Sequence, residues 1–203
     1  QATVKLGEAP RKTVLLNPLD AVQWSLYYPE AGGVPVQDTS DPNSSRHWTQ
    51  TAQAALLRGE VPRARQALDR ALALNARDPL AFSLRSNLEL VQNRKAQARA
   101  DAERAIAADP SSATAYLSLS LVQQAEFDLE GALTSARQAV KRDPRHVRAL
   151  VQESSLLFGM GRLQEALRVA KQARHQAPED AMVNTIWGFL QLARHRIDQG
   201  QTA

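Results

Sequence analysis

The chain has 203 residues, of which 43% are hydrophobic and only 5% aromatic, and its formal net charge is +4. This length allows one or two ordinary domains. Because the chain contains no cysteine, the sequence excludes disulfides, thiol catalysis and zinc sites with cysteine ligands. No apolar run reaches the length of a membrane span.

Residues 1–16 contain two short runs in which apolar and polar side chains alternate, separated by Gly7 and Pro10. Alternation of this kind predicts two short β-strands. Two strands alone do not make a stable sheet. We therefore expect residues 1–29 to be the end of a preceding β domain plus one helix, and the chain to be a fragment of a longer protein.

Residues 17–29 predict that one helix. Asn17 suits the N-cap, Pro18 suits the first helical position, and Pro29 stops the helix. A free helix of this length is marginal in water. We therefore expect it to dock on the rest of the chain, either as a cap beside Trp48 or in a groove. The aromatic side chains on its docking face are Trp24, Tyr27 and Tyr28.

Residues 30–44 are rich in glycine, proline, serine and aspartate, a composition that predicts a linker. The charge balance changes at its end. Residues 1–44 hold three basic and five acidic side chains, whereas residues 45–203 hold 22 basic and 16 acidic ones. An excess of basic charge favours acidic partners. The longest basic run has no aromatic residues between its arginines and lysines, which argues against nucleic acid as the partner.

From residue 45 onward one pattern restarts every 34 residues. A fixed period of this length is typical of solenoids, in which each helical hairpin buries its apolar face against its neighbours. The units start at Ser45, Pro79, Ala113, Val147 and Ala181. Two positions of the unit are always alanine, namely Ala64, Ala98, Ala132 and Ala166, then Ala71, Ala105, Ala139 and Ala173. One position is always small, namely Ala52, Ser86, Ser120, Ser154 and Gly188.

Each unit predicts two helices joined by a tight turn. The first helix should begin near residues 46, 80, 114, 148 and 182. The second should end before the position that holds Ala76, Pro110, Pro144 and Pro178, because proline disfavours helix just before it. The alanine positions should be buried where helices meet, since small side chains let helices approach closely. The turn position holds Gly59, Asn93, Phe127 and Gly161.

These positions resemble the tetratricopeptide repeat family, whose pattern runs aromatic, Leu-Gly, Tyr, Ala, Phe and Pro. The aromatic position holds Trp48, Phe82 and Tyr116, and the alanine and proline positions match in one register over residues 45–197. The glycine and phenylalanine positions depart from the pattern, since other residues replace them in most units. The resemblance implies an all-α superhelical solenoid of paired antiparallel helices over residues 45–203. It would contain four repeats and the first helix of a fifth. The second helix of that fifth repeat would include Ala203.

Residues 4–29 are similar to a junction in bacterial envelope proteins, where a FecR-like β domain precedes such repeats. The similarity rests on the motif DAVQW at residues 20–24, followed by YYP at residues 27–29. It implies a bacterial parent of several domains, located in the periplasm or cell envelope.

The family resemblance also implies a groove for a partner. In this family the concave surface is lined by the first helix of each repeat, mainly at its second, fifth, ninth and twelfth positions. The lysine and asparagine with which chaperone-binding members clamp a terminal carboxylate are missing here. The candidate groove residues are Thr49, Gln53, Leu56, Ser83, Asn87, Leu90, Leu117, Leu121, Gln124, Val151, Ser155, Phe158, Thr185 and Phe189. Leu117 and Leu121 fit a place in the core between repeats equally well.

The resemblance implies a scaffold or adaptor that holds a protein or peptide partner in this groove, without enzymatic activity. The sequence contains no phosphate-binding loop or nucleophile motif, and it predicts no cofactor. No two histidines lie four residues apart, so we predict no metal site. The alternative is a rigid spacer between flanking domains, with an empty groove.

The first helix of the fifth repeat should leave apolar side chains uncovered, because a terminal repeat normally needs a polar outer face. We expect residues 182–197 either to pair with a neighbouring molecule or to stay exposed. The side chains concerned are Ile186, Trp187, Leu190 and Leu192.

Overall fold

A computed structural model describes residue 41 and residues 43–200, and it describes side chains as far as residue 195. The predicted strands, the helix at residues 17–29 and most of the linker lie outside the described residues. The described part of the chain is all-α and contains nine helices. They are α1 Ser45–Leu57, α2 Val61–Leu74, α3 Pro79–Val91, α4 Lys95–Ala108, α5 Ala113–Ala125, α6 Leu129–Arg142, α7 Val147–Gly159, α8 Leu163–Gln176 and α9 Ala181–Gly200.

The odd-numbered helices start within one residue of the predicted positions in all five repeats, which confirms the register. Within each repeat the odd and even helices pack as an antiparallel pair, and each even helix also packs on the next odd one. The odd helices of neighbouring repeats contact one another directly, whereas neighbouring even helices make no comparable contact. The odd helices therefore form the inner, concave layer of the solenoid, and the even helices form the outer layer.

Polar caps fix where each inner helix begins. Ser44, Asp78, Ser112 and His146 each accept a hydrogen bond from a backbone N–H in the first turn of α1, α3, α5 and α7. Asp180 accepts one from the Val183 N–H in α9. Such caps satisfy N–H groups that have no partner within the helix. They place the start of every inner helix at the same point of the repeat.

The two alanine positions lie where helices cross, and all eight of their side chains are fully buried. The small position of the inner helix packs against the first of them. Ser86, Ser120 and Ser154 each donate a hydroxyl hydrogen bond to a backbone carbonyl of the paired outer helix, over 2.7–3.0 Å. The accepting carbonyls belong to Ala98, Ala132 and Ala166. Serine is therefore tolerated in this core because its hydroxyl has a partner.

The four turns share a left-handed residue with a φ of 56–75°, at Gly59, Asn93, Phe127 and Gly161. Glycine adopts this conformation without steric cost and asparagine tolerates it, whereas a large side chain is strained there. Phe127 is also 85% exposed. Its ring is approached only by the Lys95 ammonium, 5.7 Å from the ring centre, among the contacts described.

We expect Phe127→Gly to raise the free energy of unfolding by about 1 kcal/mol, because glycine removes the strain of a left-handed phenylalanine. Chemical denaturation of the purified chain would measure the change. The matched variant Phe127→Ala keeps a side chain at the same φ and should give little gain. An equal gain from both variants would show that strain is not the cause.

The last helix departs from the prediction. The 34-residue period places a turn at His195, before the helix that was expected to include Ala203, but α9 continues through this position as one helix to Gly200. The preceding turns use glycine, asparagine or a strained phenylalanine, whereas His195 lies between two arginines, which favour helix. The expectation that Ile186 and Leu190 would be uncovered is also wrong. Both are buried, because the inner face of α9 packs on α7 and α8 without needing a second helix.

Trp187 is half-buried beneath the Arg174 guanidinium, which lies 5.2 Å from the ring centre. Leu192 is 63% exposed. Self-association through residues 182–197 therefore stays a prediction. Of the four apolar side chains named for it, Trp187 and Leu192 remain accessible.

Candidate functional site

The inner face of the solenoid carries an open cleft of about 380 Å³ that crosses four repeats. Each inner helix from α1 to α7 contributes to it, so the cleft depends on the stacking of the repeats and not on one hairpin. Its lining combines amides, hydroxyls, one arginine, one histidine and a few apolar side chains, and contains no carboxylate. The lining residues are Gln53, Leu80, Leu84, Asn87, Thr114, Leu117, Ser118, His146, Val147 and Arg148.

A second cleft of about 490 Å³ adjoins the first, since both are lined by Gln53 and Leu80. It lies between the start of α1 and the start of α3, and Arg46 and Asp78 are its charged residues. Asp78 is already engaged, because its carboxylate accepts hydrogen bonds from the hydroxyls of Ser45 and Thr49 at 2.5 and 3.1 Å. The two spaces together form the inner cleft of the solenoid.

The structure divides the fourteen candidate groove residues into two groups. Those with at most 8% of their surface exposed are Thr49, Leu56, Ser83, Leu90, Leu117, Leu121, Val151 and Ser155. They contribute mainly to packing between helices, although Leu117 also forms part of the cleft wall. Those with more accessible side chains are Gln53, Asn87, Gln124, Phe158, Thr185 and Phe189. Of these six, Gln53 and Asn87 line the inner cleft.

Several residues of the cleft were not among the candidates. Leu80, Thr114 and Arg148 occupy the second position of their inner helices. That position belongs to the family pattern for the concave surface, so the sequence did contain a signal for them. His146 precedes its helix as the N-cap, and only the structure shows that it reaches the cleft.

His146 holds one end of the cleft together. Its Nδ1 accepts a hydrogen bond from the Ala149 N–H over 3.3 Å, and its Nε2 lies 3.4 Å from the Thr114 hydroxyl of the preceding repeat. Burial lowers the pKa of His146 below its ordinary value of 6.5. The positive charge of Arg148 lowers it further, whereas the carboxylate of Asp143 opposes the shift. Neutral imidazole is the form that can cap α7 through Nδ1.

We expect the chain to lose stability as the pH falls below about 6.5, because unfolded His146 then binds a proton that the folded form resists. His146→Asn should keep the cap but remove the titration. Thermal unfolding at pH 7.5 and at pH 5.5 would compare the two proteins. A drop between these pH values that is equally large in the variant would assign the loss to other groups.

The longest basic run crosses the turn from α6 to α7 and does not form one patch. Its residues are Arg137, Lys141, Arg142, Arg145 and Arg148. Arg137 pairs with Glu153 and Glu165 at 3.2 and 3.3 Å. Arg142 donates to the Pro110 carbonyl over 2.7 Å and lies 3.7 Å above the centre of the Tyr116 ring. Arg148 lines the concave cleft. The α6–α7 turn therefore distributes these side chains over both sides of the array.

A smaller space of about 290 Å³ lies between the outer and inner helices of the first two repeats, and charged side chains line most of it. Arg85 donates two hydrogen bonds to the buried Asp101 carboxylate, at 2.7 and 2.8 Å. Glu89 accepts hydrogen bonds from Arg65 and Arg94. The acidic groups here are already paired within the protein, which identifies this region as a structural ionic network.

Among the residues described, no group of three histidine, aspartate or glutamate side chains is placed to hold a metal ion. The helices of that part of the chain include none with the length and apolar character needed to cross a membrane.

Two family models, both described as tetratricopeptide repeat, match the chain. One matches residues 37–81 and 83–126, and the other matches residues 123–186. A search of curated proteins finds no match.

Solved structures share the fold. TTC0263, a thermophilic TPR protein of Thermus thermophilus, is 20% identical with a TM-score of 0.68, over 76% of this chain and 85% of that one. Pseudomonas aeruginosa PilF is 15% identical with a TM-score of 0.65, over 75% and 69% of the two chains. YrrB, described as a TPR protein with an unusual peptide-binding site, is 21% identical with a TM-score of 0.52, over 76% and 80%.

Proposed function

Because the chain belongs to the tetratricopeptide repeat family, we propose that it is a non-enzymatic scaffold that holds an extended peptide segment of a partner protein in its inner cleft. The observation that carries this proposal is the cleft itself, which is open to solvent and crosses the inner helices of four repeats. An extended segment is the shape of ligand that contacts successive repeats in turn.

The chemistry of the lining supports a peptide as the occupant. Gln53 offers a side-chain amide, which can both donate to and accept from a peptide backbone, and Asn87 lines the same surface. Leu80, which is 41% exposed, offers apolar contact in the same lining, and the buried Leu84 lies one turn further along α3. A few polar groups that fix orientation within an apolar surface are typical of binding sites.

The location of the parent protein in a bacterial periplasm or envelope is a separate proposal. Its support is the resemblance of residues 4–29 to the junction after a FecR-like domain. Fractionation of cells that express the parent gene, with detection by an antibody against this chain, would test it. Recovery of the protein with the cytoplasmic fraction would contradict this location.

The alternative of a rigid spacer also has a specific observation in its favour. Eight of the fourteen candidate groove residues are buried by packing, so much of the inner layer serves to join repeats. The two functions differ in whether the surface of the cleft selects a ligand.

Selection from a phage-displayed library of random 12-residue peptides would distinguish them. We expect the wild-type chain to enrich peptides whose binding is lost in Leu80→Glu, which places a charge in the cleft. Leu74→Glu is the matched control, because Leu74 is 51% exposed on α2 and is not among the cleft residues. Peptides that bind all three proteins equally, or no enrichment at all, would favour the spacer.

A further inference from the structure

The sequence just before α1 is acidic throughout. Residues 13–45 contain no lysine or arginine and four carboxylates, at Asp20, Glu30, Asp38 and Asp41. The chain is therefore most acidic immediately before it enters the basic array at Arg46.

The inner cleft has the opposite charge. Arg46 lies at its α1 end and Arg148 at its α7 end, and His146 lies beside Arg148. The one carboxylate among the lining residues is Asp78, and its oxygens already accept hydrogen bonds from two hydroxyls and from two N–H groups of α3. A ligand with carboxylates near both ends would match this distribution.

We propose that residues 30–40 of the same chain lie extended in the inner cleft, with Asp38 near Arg46 and Glu30 near Arg148. The proposal rests on the proposed function, since it requires that the cleft accept an extended peptide. It identifies the chain's own acidic segment as the first occupant, which a partner peptide would have to displace.

The lengths agree. Eight residues separate Asp38 from Glu30, and an extended chain covers roughly 26 Å over that number of residues. Arg46 and Arg148 belong to inner helices three repeats apart. Neighbouring packed helices lie about 8–10 Å apart, so three steps amount to roughly 24–30 Å. The segment also enters the array at the correct end, because Ser44 caps α1 beside Arg46.

The side-chain pattern of the segment also matches the lining of the inner cleft. Alternate residues of an extended chain point to the same side. The even-numbered residues of the segment place two valines between the two acidic residues, and the cleft places Leu80 and Leu84 between its two arginines. The intervening glycines Gly32 and Gly33 add no bulk. A covalent tether of this length raises the effective concentration of the segment to the millimolar range.

Disulfide trapping tests the proposal, because the natural chain contains no cysteine. The test protein carries Val36→Cys and Leu80→Cys. The control carries Val36→Cys and Gln97→Cys, which places the second cysteine on the outer helix of the same repeat. After equilibration in a glutathione buffer, we expect the cleft pair to form an intramolecular disulfide at least ten times more readily than the control pair. Circular dichroism before oxidation would confirm that both proteins keep their helices.

A second arm tests the charges. Adding Glu30→Lys and Asp38→Lys to the cleft pair should reduce disulfide formation at least threefold. Equal trapping in the two cysteine pairs, disulfides found only in dimers, or no effect of charge reversal would each overturn the proposal. Library peptides that still bind the cleft in those cases would show that the proposed function survives without an occupant from the same chain.

Discussion

We expect Ala105→Leu to lower the free energy of unfolding by about 1–3 kcal/mol, which is the usual cost of adding methylenes to a packed core. Ala105 is fully buried on α4, where its methyl group belongs to the same cluster as Phe82 and Ala115. These residues come from three helices of two neighbouring repeats. A larger side chain therefore has to separate helices that the solenoid needs in contact.

Ala107→Leu is the matched control for this substitution. Ala107 lies two residues further along the same helix, but its side chain is exposed. Both variants change the intrinsic helix preference by the same small amount, and we expect the control to stay within about 0.5 kcal/mol of wild type. Urea denaturation followed by circular dichroism would measure both. Equal losses in the two variants would mean that helix preference, and not packing, determines the cost.

The same alanine positions show how far the sequence predicts this fold. A side chain that recurs every 34 residues is placed by a contact that also recurs, so the helix starts, the turns and the buried alanines follow from the sequence. For the recurring small position of the inner helix, the sequence predicted only that its side chain is small. Its hydroxyl bond to the facing carbonyl depends on the distance between two helices, and neither helix determines that distance alone.

The cleft was predicted less well for a related reason. Positions five and nine of an inner helix lie next to the seam between repeats, so the way neighbouring helices cross decides whether each side chain is buried. Ser83 is fully buried, whereas Asn87, one turn further along the same helix, lines the cleft. The prediction of a last turn was wrong for a different reason. The 34-residue period places His195 at a turn position without requiring that the chain turn there.

Charge pairs between repeats show the limit of periodicity. Asp69 and Arg85 occupy the same two positions of the repeat as Arg137 and Glu153 do two repeats later, with the charges exchanged. In both pairs a residue on an outer helix contacts one on the next inner helix, 16 residues further along the chain. A comparison of positions across the repeats finds no conserved charge, although the contact joins the same two positions.

We expect Arg85→Met to lower the free energy of unfolding by about 3 kcal/mol, because it leaves the Asp101 carboxylate in the protein interior without its principal partner. The side chain of Asp101 is 6% exposed and that of Arg85 is 20% exposed. The two hydrogen bonds between them raise the pKa of Arg85 above its ordinary value, with a smaller contribution from the negative charges of Asp101, Asp69 and Glu89. The remaining partner of Asp101 is Arg104, which lies at 3.3 Å and is 61% exposed, so its charge is screened by water.

The double variant Arg85→Met with Asp101→Leu tests the cause of this loss. Replacing both members of a buried pair by apolar residues removes the unpaired charge as well as the ion pair, so we expect the double variant to be more stable than Arg85→Met alone. Arg162→Met, which removes an exposed pair with Glu165 on α8, should have little effect on stability and controls for the loss of one arginine. Urea denaturation of the four proteins gives the comparison. If the double variant is less stable than the single one, Asp101 stabilises the fold through contacts other than Arg85, and the ionic network would have to be assigned to its remaining arginines.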